Sequence, residues 1–271
     1  MNLFAGAFLD RPAEELQPKD VEDWIGAERK GGQTVTHAIF GGKTRRRVRK
    51  AWSVSTVWRV KVAIKACWVW GAEQGHIRAD TLAKLRLPRL AARTEIITPA
   101  DFDKIVAACR NRELRDLLLF LRHTGCRPFE ALQATAADID WSIPAVRYHH
   151  ARTKQKRKDR LICLTEVPLE IIKRRAAERP EGLLWRNRTG QEWDVRDTAN
   201  AMRRLCNRVG VKATLYTLRH SYITDALLSG VSAAVVAELC GTSVLMIHRN
   251  YGHLEKSTCL PSLKPGPSGV R

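Results

Sequence analysis

Apolar residues recur at helical spacing over most of this chain and switch to strict alternation in one short stretch. Val21, Trp24 and Ile25 predict a helix over Asp20–Arg29. A longer one is predicted over Ser53–Gly75, with Ser53 or Ser55 as its N-cap. Its core stripe reads as Val57, Val60, Ile64, Cys67 and Trp70, with Arg59, Lys61 and Lys65 off the stripe. Helices follow over Pro99–Cys109 and Glu113–His123, and a third opens near Arg127. The period then shortens: Ile139–Trp141, Ala145–Tyr148 and Arg160–Leu164 alternate and predict three small strands. Helical spacing returns over Pro168–Ala177, Val195–Val209, Leu218–Leu228, Ser232–Leu239 and Ser243–Tyr251. The expected fold class is mainly α with a small antiparallel β-sheet, α+β.

Breaks in the pattern divide the chain. Leu85–Thr98, with Pro88 inside it, Pro99 at its edge and Arg86, Arg89 and Arg93 along it, reads as a basic connection between two domains. Residues 1–90 then form a helical domain, 91–98 the linker and 99–259 a second domain, while the Pro-, Gly- and Ser-rich 260–271 is expected to be disordered. No internal repeat is visible. The glycine pairs Gly31-Gly32 and Gly41-Gly42 enclose a stretch that reads as a loop or hairpin rather than a packed element.

Charge sharpens that reading. The chain of 271 residues carries 47 basic and 28 acidic side chains, a formal +19, which calls for a polyanionic partner. Residues 1–95 hold 18 basic and 10 acidic groups and the remainder 29 and 18, so both parts are positive, as suits a protein that grips a duplex from two sides. From Arg29 to Ala72 there is no carboxylate at all, and Lys43, Arg45, Arg46, Arg47, Arg49 and Lys50 fall inside that window. A solvated charge run is the ordinary explanation; the missing counter-charges favour a loop that touches phosphates. The seven cysteines are scattered singly, without C-x-x-C spacing, which argues against a zinc module or a disulfide scaffold. No leader peptide and no apolar run of about 18 residues is apparent, so a cytoplasmic protein away from membranes is expected.

Three segments carry chemistry. His123-Thr124-Gly125-Cys126-Arg127-Pro128-Phe129-Glu130 ends one helix and starts another, with Arg127 and Glu130 three apart on one face. Alone this is an ordinary salt bridge at a helix terminus. Tyr216-Thr217-Leu218-Arg219-His220 places an arginine where a helix opens, suited to clamp a phosphate. Gly241-Thr242 is followed nine residues later by Tyr251, by itself a half-buried helical tyrosine.

Taken together and in this order, "HTGCRPFEAL", "TLRHSYIT" and "GTSVLMIHRNYGHL" resemble the tyrosine recombinase family, which includes phage and transposon integrases. The resemblance covers most of the chain. Leu16–Leu90 is similar to that family's helical core-binding (SAM-like) domain, shortened and without an arm-binding domain, and Pro99–Leu254 to its catalytic domain. It implies that Arg127 and Arg219 are the two catalytic arginines, Tyr251 the nucleophile and Glu130 the acidic residue beside the first arginine. The family's hairpin lysine matches Lys154 or, in a lysine-rich turn whose register stays open, Lys156; Arg157 beside it would meet DNA. Two positions depart from the family pattern. Tyr216 stands where histidine is usual, and Thr242 where histidine or tryptophan is. Each keeps a hydroxyl for a phosphate oxygen, but neither is an imidazole base, so His220 and His248 become candidates to assist.

The implied chemistry is coherent. A phenol with an ordinary pKa of ~10 must lose its proton as it attacks phosphorus, and two guanidiniums would hold the non-bridging oxygens. A donor of that kind is worth about 3–4 kcal/mol of barrier. The covalent phosphotyrosine conserves the phosphodiester energy, so no cofactor or metal is expected; the sequence holds neither a nucleotide-binding phosphate loop nor a carboxylate cluster. The implied partners are double-stranded DNA at specific recombination sites, a homotetramer on that DNA and an accessory DNA-bending protein. Three readings stay beside this one: a recombinase homologue impaired at Tyr216 and Thr242, a DNA-binding protein without catalysis, and a type IB topoisomerase.

Overall fold

The computed structural model describes residues 2–31, 34–38, 44–48, 50–90, 95–149 and 159–259; for 2, 34–38, 44–47 and 253–259 it describes the backbone only. The chain separates into two units, residues 1–92 and 93–271.

The first unit holds α1 (Asn2–Ala7), α2 (Pro18–Arg29), a hairpin of β1 (Thr34–Ala38) and β2 (Thr44–Val48), and α3 (Val54–Glu73). Helix α2 starts at Pro18, two residues before the expected point, because a proline is well placed in a first turn and Asp20 caps the Gln17 N–H at 2.8 Å. Ser53 is the N-cap of α3. The glycine-bounded basic stretch is an antiparallel hairpin in the register Thr34↔Val48 to Ala38↔Thr44.

The expected stripe on α3 needs correction. Its buried positions are Val57, Lys61, Ile64, Trp68 and Gly71, whereas Cys67 is exposed and Trp70 is 54% exposed. At about 100° per residue, Trp70 lies roughly 220° around the helix from Val57, while 61, 64, 68 and 71 stay within about 40° of it. Lys61 is buried because Glu22 and the Arg86 carbonyl (3.0 Å) satisfy its ammonium. Trp68 packs edge-on against Phe4 in the core with Val21, Ile25, Leu82 and Leu85.

The second unit is mostly helical: α4 (Pro99–Ala108), α5 (Arg112–Thr124), α6 (Pro128–Leu132), α7 (Glu166–Glu178), α8 (Val195–Val209), α9 (Leu215–Leu228), α10 (Ala233–Cys240) and α11 (Val244–Cys259). Between α6 and α7 lie β3 (Ile139–Asp140), β4 (Ala145–Tyr148) and β5 (Arg160–Cys163), a three-stranded antiparallel sheet ordered β3-β4-β5. The mainly helical fold with one small antiparallel sheet is the expected class. Leu85 is buried in the first unit and Ile97, at the far end of the linker reading, in the second, where its N–H donates to Ser221 Oγ at 2.8 Å. Helix α9 begins three residues before the expected Leu218, since Thr214 caps the Thr217 N–H (3.2 Å) and the Thr217 hydroxyl accepts from the Thr214 N–H (3.1 Å). Helix α11 continues past Tyr251 and Gly252 to Cys259. No described helix is long and apolar enough to cross a membrane.

Candidate active site

The core helix α5 ends at Gly125, which takes a left-handed conformation (φ 60°). A Cβ there would stand 2.3 Å from the Tyr222 ring of α9, so only glycine lets the two segments approach. Two residues on, Arg127 caps α6. Its backbone N–H donates to Glu130 Oε2 (2.8 Å) and its guanidinium to Glu130 Oε1 (2.8 Å). The second guanidinium nitrogen donates to the Gly241 carbonyl at 2.6 Å.

Arg219 approaches from the first turns of α9. It is 7% exposed and donates to the Gly125 carbonyl at 2.7 Å. Burial, together with the like charges of Arg127 and Arg160, lowers its pKa from the usual 12.5. The two motif arginines are therefore brought together through backbone carbonyls of two glycine turns, and the only carboxylate bonded to either is Glu130 among the described residues. Burial alone would raise the Glu130 carboxyl. The charge of Arg160 and the bonds from Arg127 outweigh it and hold the group below its usual 4.5.

Tyr251 is 3% exposed on α11, among Ile223, Leu227, Val236, Ala237, Cys240 and Ile247. Its hydroxyl meets His220 Nδ1, one residue beyond Arg219. Burial pushes the phenol up to about 12, against a lowering by the charge of Arg219. Its hydrogen-bond partner is thus the imidazole and not a guanidinium. Of the two candidate histidines, it is His220 that reaches the tyrosine; His248 is exposed on α11.

Thr242 follows the carbonyl that receives Arg127, and Tyr216 is 50% exposed in the first turn of α9. Neither side chain bonds an arginine among the described residues. Lys154, Lys156 and Arg157 lie outside the described residues, as do Lys43 and Arg49. Arg45, Arg46 and Arg47 are on β2, paired with His37, Thr36 and Val35, and Lys50 is exposed. Among the described residues no group of three or more His, Cys, Asp or Glu side chains is placed to hold a metal ion.

One member of the cluster is absent from the sequence reading. Arg160 opens β5, is 7% exposed, and shares the Glu130 carboxylate with Arg127. Strand alternation carried the signal: Arg160 and Ile162 are both buried, on the core face, while Cys163 is exposed. A cavity of about 720 Å³ between α4, α5 and α8, lined by Arg110, Arg204 and Arg208, contains none of the motif residues.

Comparison with known proteins places these observations in a lineage. The model of the phage integrase family matches residues 95–258. Tyrosine recombinase XerC of Corynebacterium glutamicum is 27% identical, over 96% of this chain and 81% of that protein. Among solved structures, the Tn1549 transposon integrase in complex with circular intermediate DNA superposes with a TM-score of 0.71 at 16% identity, covering 97% of this chain and 91% of that one. A lambda integrase tetramer bound to a Holliday junction gives 0.64 at 13% identity, covering 86% and 66%. At such identities the structural likeness is one of fold.

Proposed function

The chain belongs to the phage integrase family, and from that premise we propose that it is a site-specific DNA recombinase that cleaves and rejoins strands through a 3′-phosphotyrosyl intermediate on Tyr251. The observation that carries this is the joining of three distant segments: Arg219 to the Gly125 carbonyl, Arg127 to the Gly241 carbonyl, and Tyr251 to His220.

In the cleavage step the Tyr251 oxygen attacks the scissile phosphorus while its proton passes to His220 Nδ1, the imidazole that the site offers where Tyr216 and Thr242 carry only hydroxyls. The bond from phosphorus to the 5′ oxygen breaks, and a lysine of the segment between β4 and β5, Lys154 or Lys156, gives that oxygen a proton. Arg127 and Arg219 exchange their carbonyl partners for the non-bridging phosphate oxygens, whose negative charge a buried, crowded guanidinium binds strongly. Glu130 keeps Arg127 oriented. Rejoining is the reverse, with the 5′ hydroxyl as nucleophile. The hairpin of the 1–90 core-binding domain, with Lys43 to Lys50, adds phosphate contacts, joined by the 91–98 linker to the 99–259 catalytic domain. The assembly on DNA is a homotetramer, as the lambda integrase structure on a junction suggests by fold.

Covalent capture tests the reading. Nicked duplexes from a sequence library are incubated with the protein, adducts are resolved on a denaturing gel, and the modified peptide is identified by mass. An adduct on Tyr251 that vanishes in Tyr251→Phe is expected. Binding without an adduct would favour the non-catalytic or impaired reading, and relaxation of supercoils without recombination a topoisomerase.

A further inference from the structure

We propose that Arg160 is a positioning residue of the cleavage site, locking the first arginine, strand β5 and the Gly241 turn into one rigid ring; this rests on the recombinase reading. One guanidinium nitrogen of Arg160 donates to Glu130 Oε2, and the other to the Leu239 carbonyl at 2.6 Å. Glu130 Oε1 in turn accepts from Arg127, and Arg127 donates to the Gly241 carbonyl. Leu239 and Gly241 are two residues apart where α10 ends. The circuit Arg160–Glu130–Arg127–Gly241–Leu239–Arg160 therefore closes on itself.

Three features make the ring specific to arginine. A single planar group spans a carboxylate on α6 and a carbonyl on α10, a fork that the point charge of lysine does not reproduce. Its side chain runs against Gly241, where a Cβ would stand 2.6 Å from Arg160 Cδ and 2.7 Å from Nε. And it is 7% exposed, facing the core and leaving the reacting atoms to Arg127 and Arg219.

Position matters because β5 follows directly in sequence on the segment that carries Lys154 and Lys156. Arg160 couples the start of β5 to Arg127 and to the Gly241 turn, which Thr242 follows in sequence. A displacement of about 1 Å among reacting groups costs on the order of 100-fold in rate. The groups facing Glu130 are Arg127 and Cys126 from its own segment, Arg160 from β5, Arg219 from α9 and Cys240 from α10. The first of the charges that hold Glu130 ionised is that of Arg160, so removing it lets burial lift the carboxyl.

The test uses the full chain and the captured nicked duplex, with wild type, Arg160→Gln and Arg160→Lys. Single-turnover cleavage is expected to fall about 100-fold in Arg160→Gln and by less in Arg160→Lys, with DNA Kd changed by under about threefold. In Arg160→Gln the acid limb of the pH profile moves to higher pH. In parallel the Glu130 carboxyl is titrated by carbon-13 shift, assigned with Glu130→Gln; it needs no cleavage and is expected to move upward. Wild-type cleavage in Arg160→Gln, an unmoved Glu130 titration, or a loss of cleavage that only tracks lower Tm in both variants overturns the proposal. A wild type without an adduct overturns the recombinase reading instead, and the titration still decides whether Arg160 governs Glu130.

Discussion

Two clusters of buried arginine in the second unit differ in how their charge is matched. At the seam of α5 and α7, Arg175 is fully buried and meets three carboxylates: Glu113, Asp116 and Glu178. Arg174 adds a bond to Asp116 at 2.6 Å and Arg179 one to Glu113 at 2.7 Å. At the candidate site Arg127 and Arg160 share the one carboxylate of Glu130, Arg219 bonds only the Gly125 carbonyl, and the remaining bonds of the other two go to the carbonyls of Leu239 and Gly241. Carbonyl dipoles solvate a guanidinium without cancelling its charge. With Arg112 also on Glu178 at 2.9 Å, the seam sets four arginines against three carboxylates and glues two helices, whereas among the described residues the site sets three against one and keeps an excess of positive charge that an anion would reduce. Burial of arginine alone is therefore no mark of function, whereas the deficit of counter-charge is.

Exchanging the losses is the strongest way to break this comparison. Arg219→Ala should reduce adduct formation by about 10²–10³-fold or more while the fold survives. Arg175→Ala should do the opposite, taking from Asp116 and Glu113 their buried partner, with only Arg174 and Arg179 left on them, and costing on the order of 3 kcal/mol in urea unfolding, with cleavage per folded molecule unchanged. Equal effects of the two variants on both measurements would erase the distinction. Next in size is Gly241→Ala, which sets a Cβ against Arg160 at a left-handed φ of 59°. It should cost about 1–3 kcal/mol and slow cleavage more than Gly210→Ala, whose left-handed position (φ 71°) has open space around it.

The phenol supplies a smaller effect. With Tyr251 raised from 10 to about 12, its contribution to stability is fully present below pH ~10 and is lost as pH rises through about 12. Alkaline difference absorbance should show fewer tyrosines ionising near pH 10 in the folded wild type than in unfolded chain, since burial raises Tyr222 as well as Tyr251, and Tyr251→Phe should remove the step near 12. The smallest effect on chemistry is expected at the hairpin. Neutralising Arg45, Arg46 and Arg47 should lower the slope of log affinity against log salt by about 0.9 for each phosphate the hairpin no longer neutralises, with single-turnover cleavage at saturation unchanged.

Much of this was legible in the sequence. The helical periods, the three strands and the turns at Gly125 and Gly241 follow from spacing and glycine placement, and the pairing of Arg127 with Glu130 from their separation of three. What escaped has physical reasons. The stripe on α3 drifted because Cys67 and Trp70 are apolar yet face outward, while Lys61 is buried by partners distant in sequence, Glu22 and the Arg86 carbonyl. Arg160 escaped because its partners lie 30 and 79 residues away. The hydrogen bond between Tyr251 and His220 escaped because only the packing of α9 against α11 sets it, and α11 runs past Tyr251, where the helical spacing had ended.

That packing has a consequence for encounters with the wrong duplex. Tyr251, 3% exposed, cannot touch a phosphate until α11 shifts, and the shift must loosen an apolar cluster while the imidazole of His220 stays with the phenol. On the recombinase reading, the free energy for that displacement comes from interactions made along a cognate sequence. On the same reading, contacts to stray phosphates would not supply that free energy, and fidelity would reside in the threshold for arming as much as in the affinity for the site.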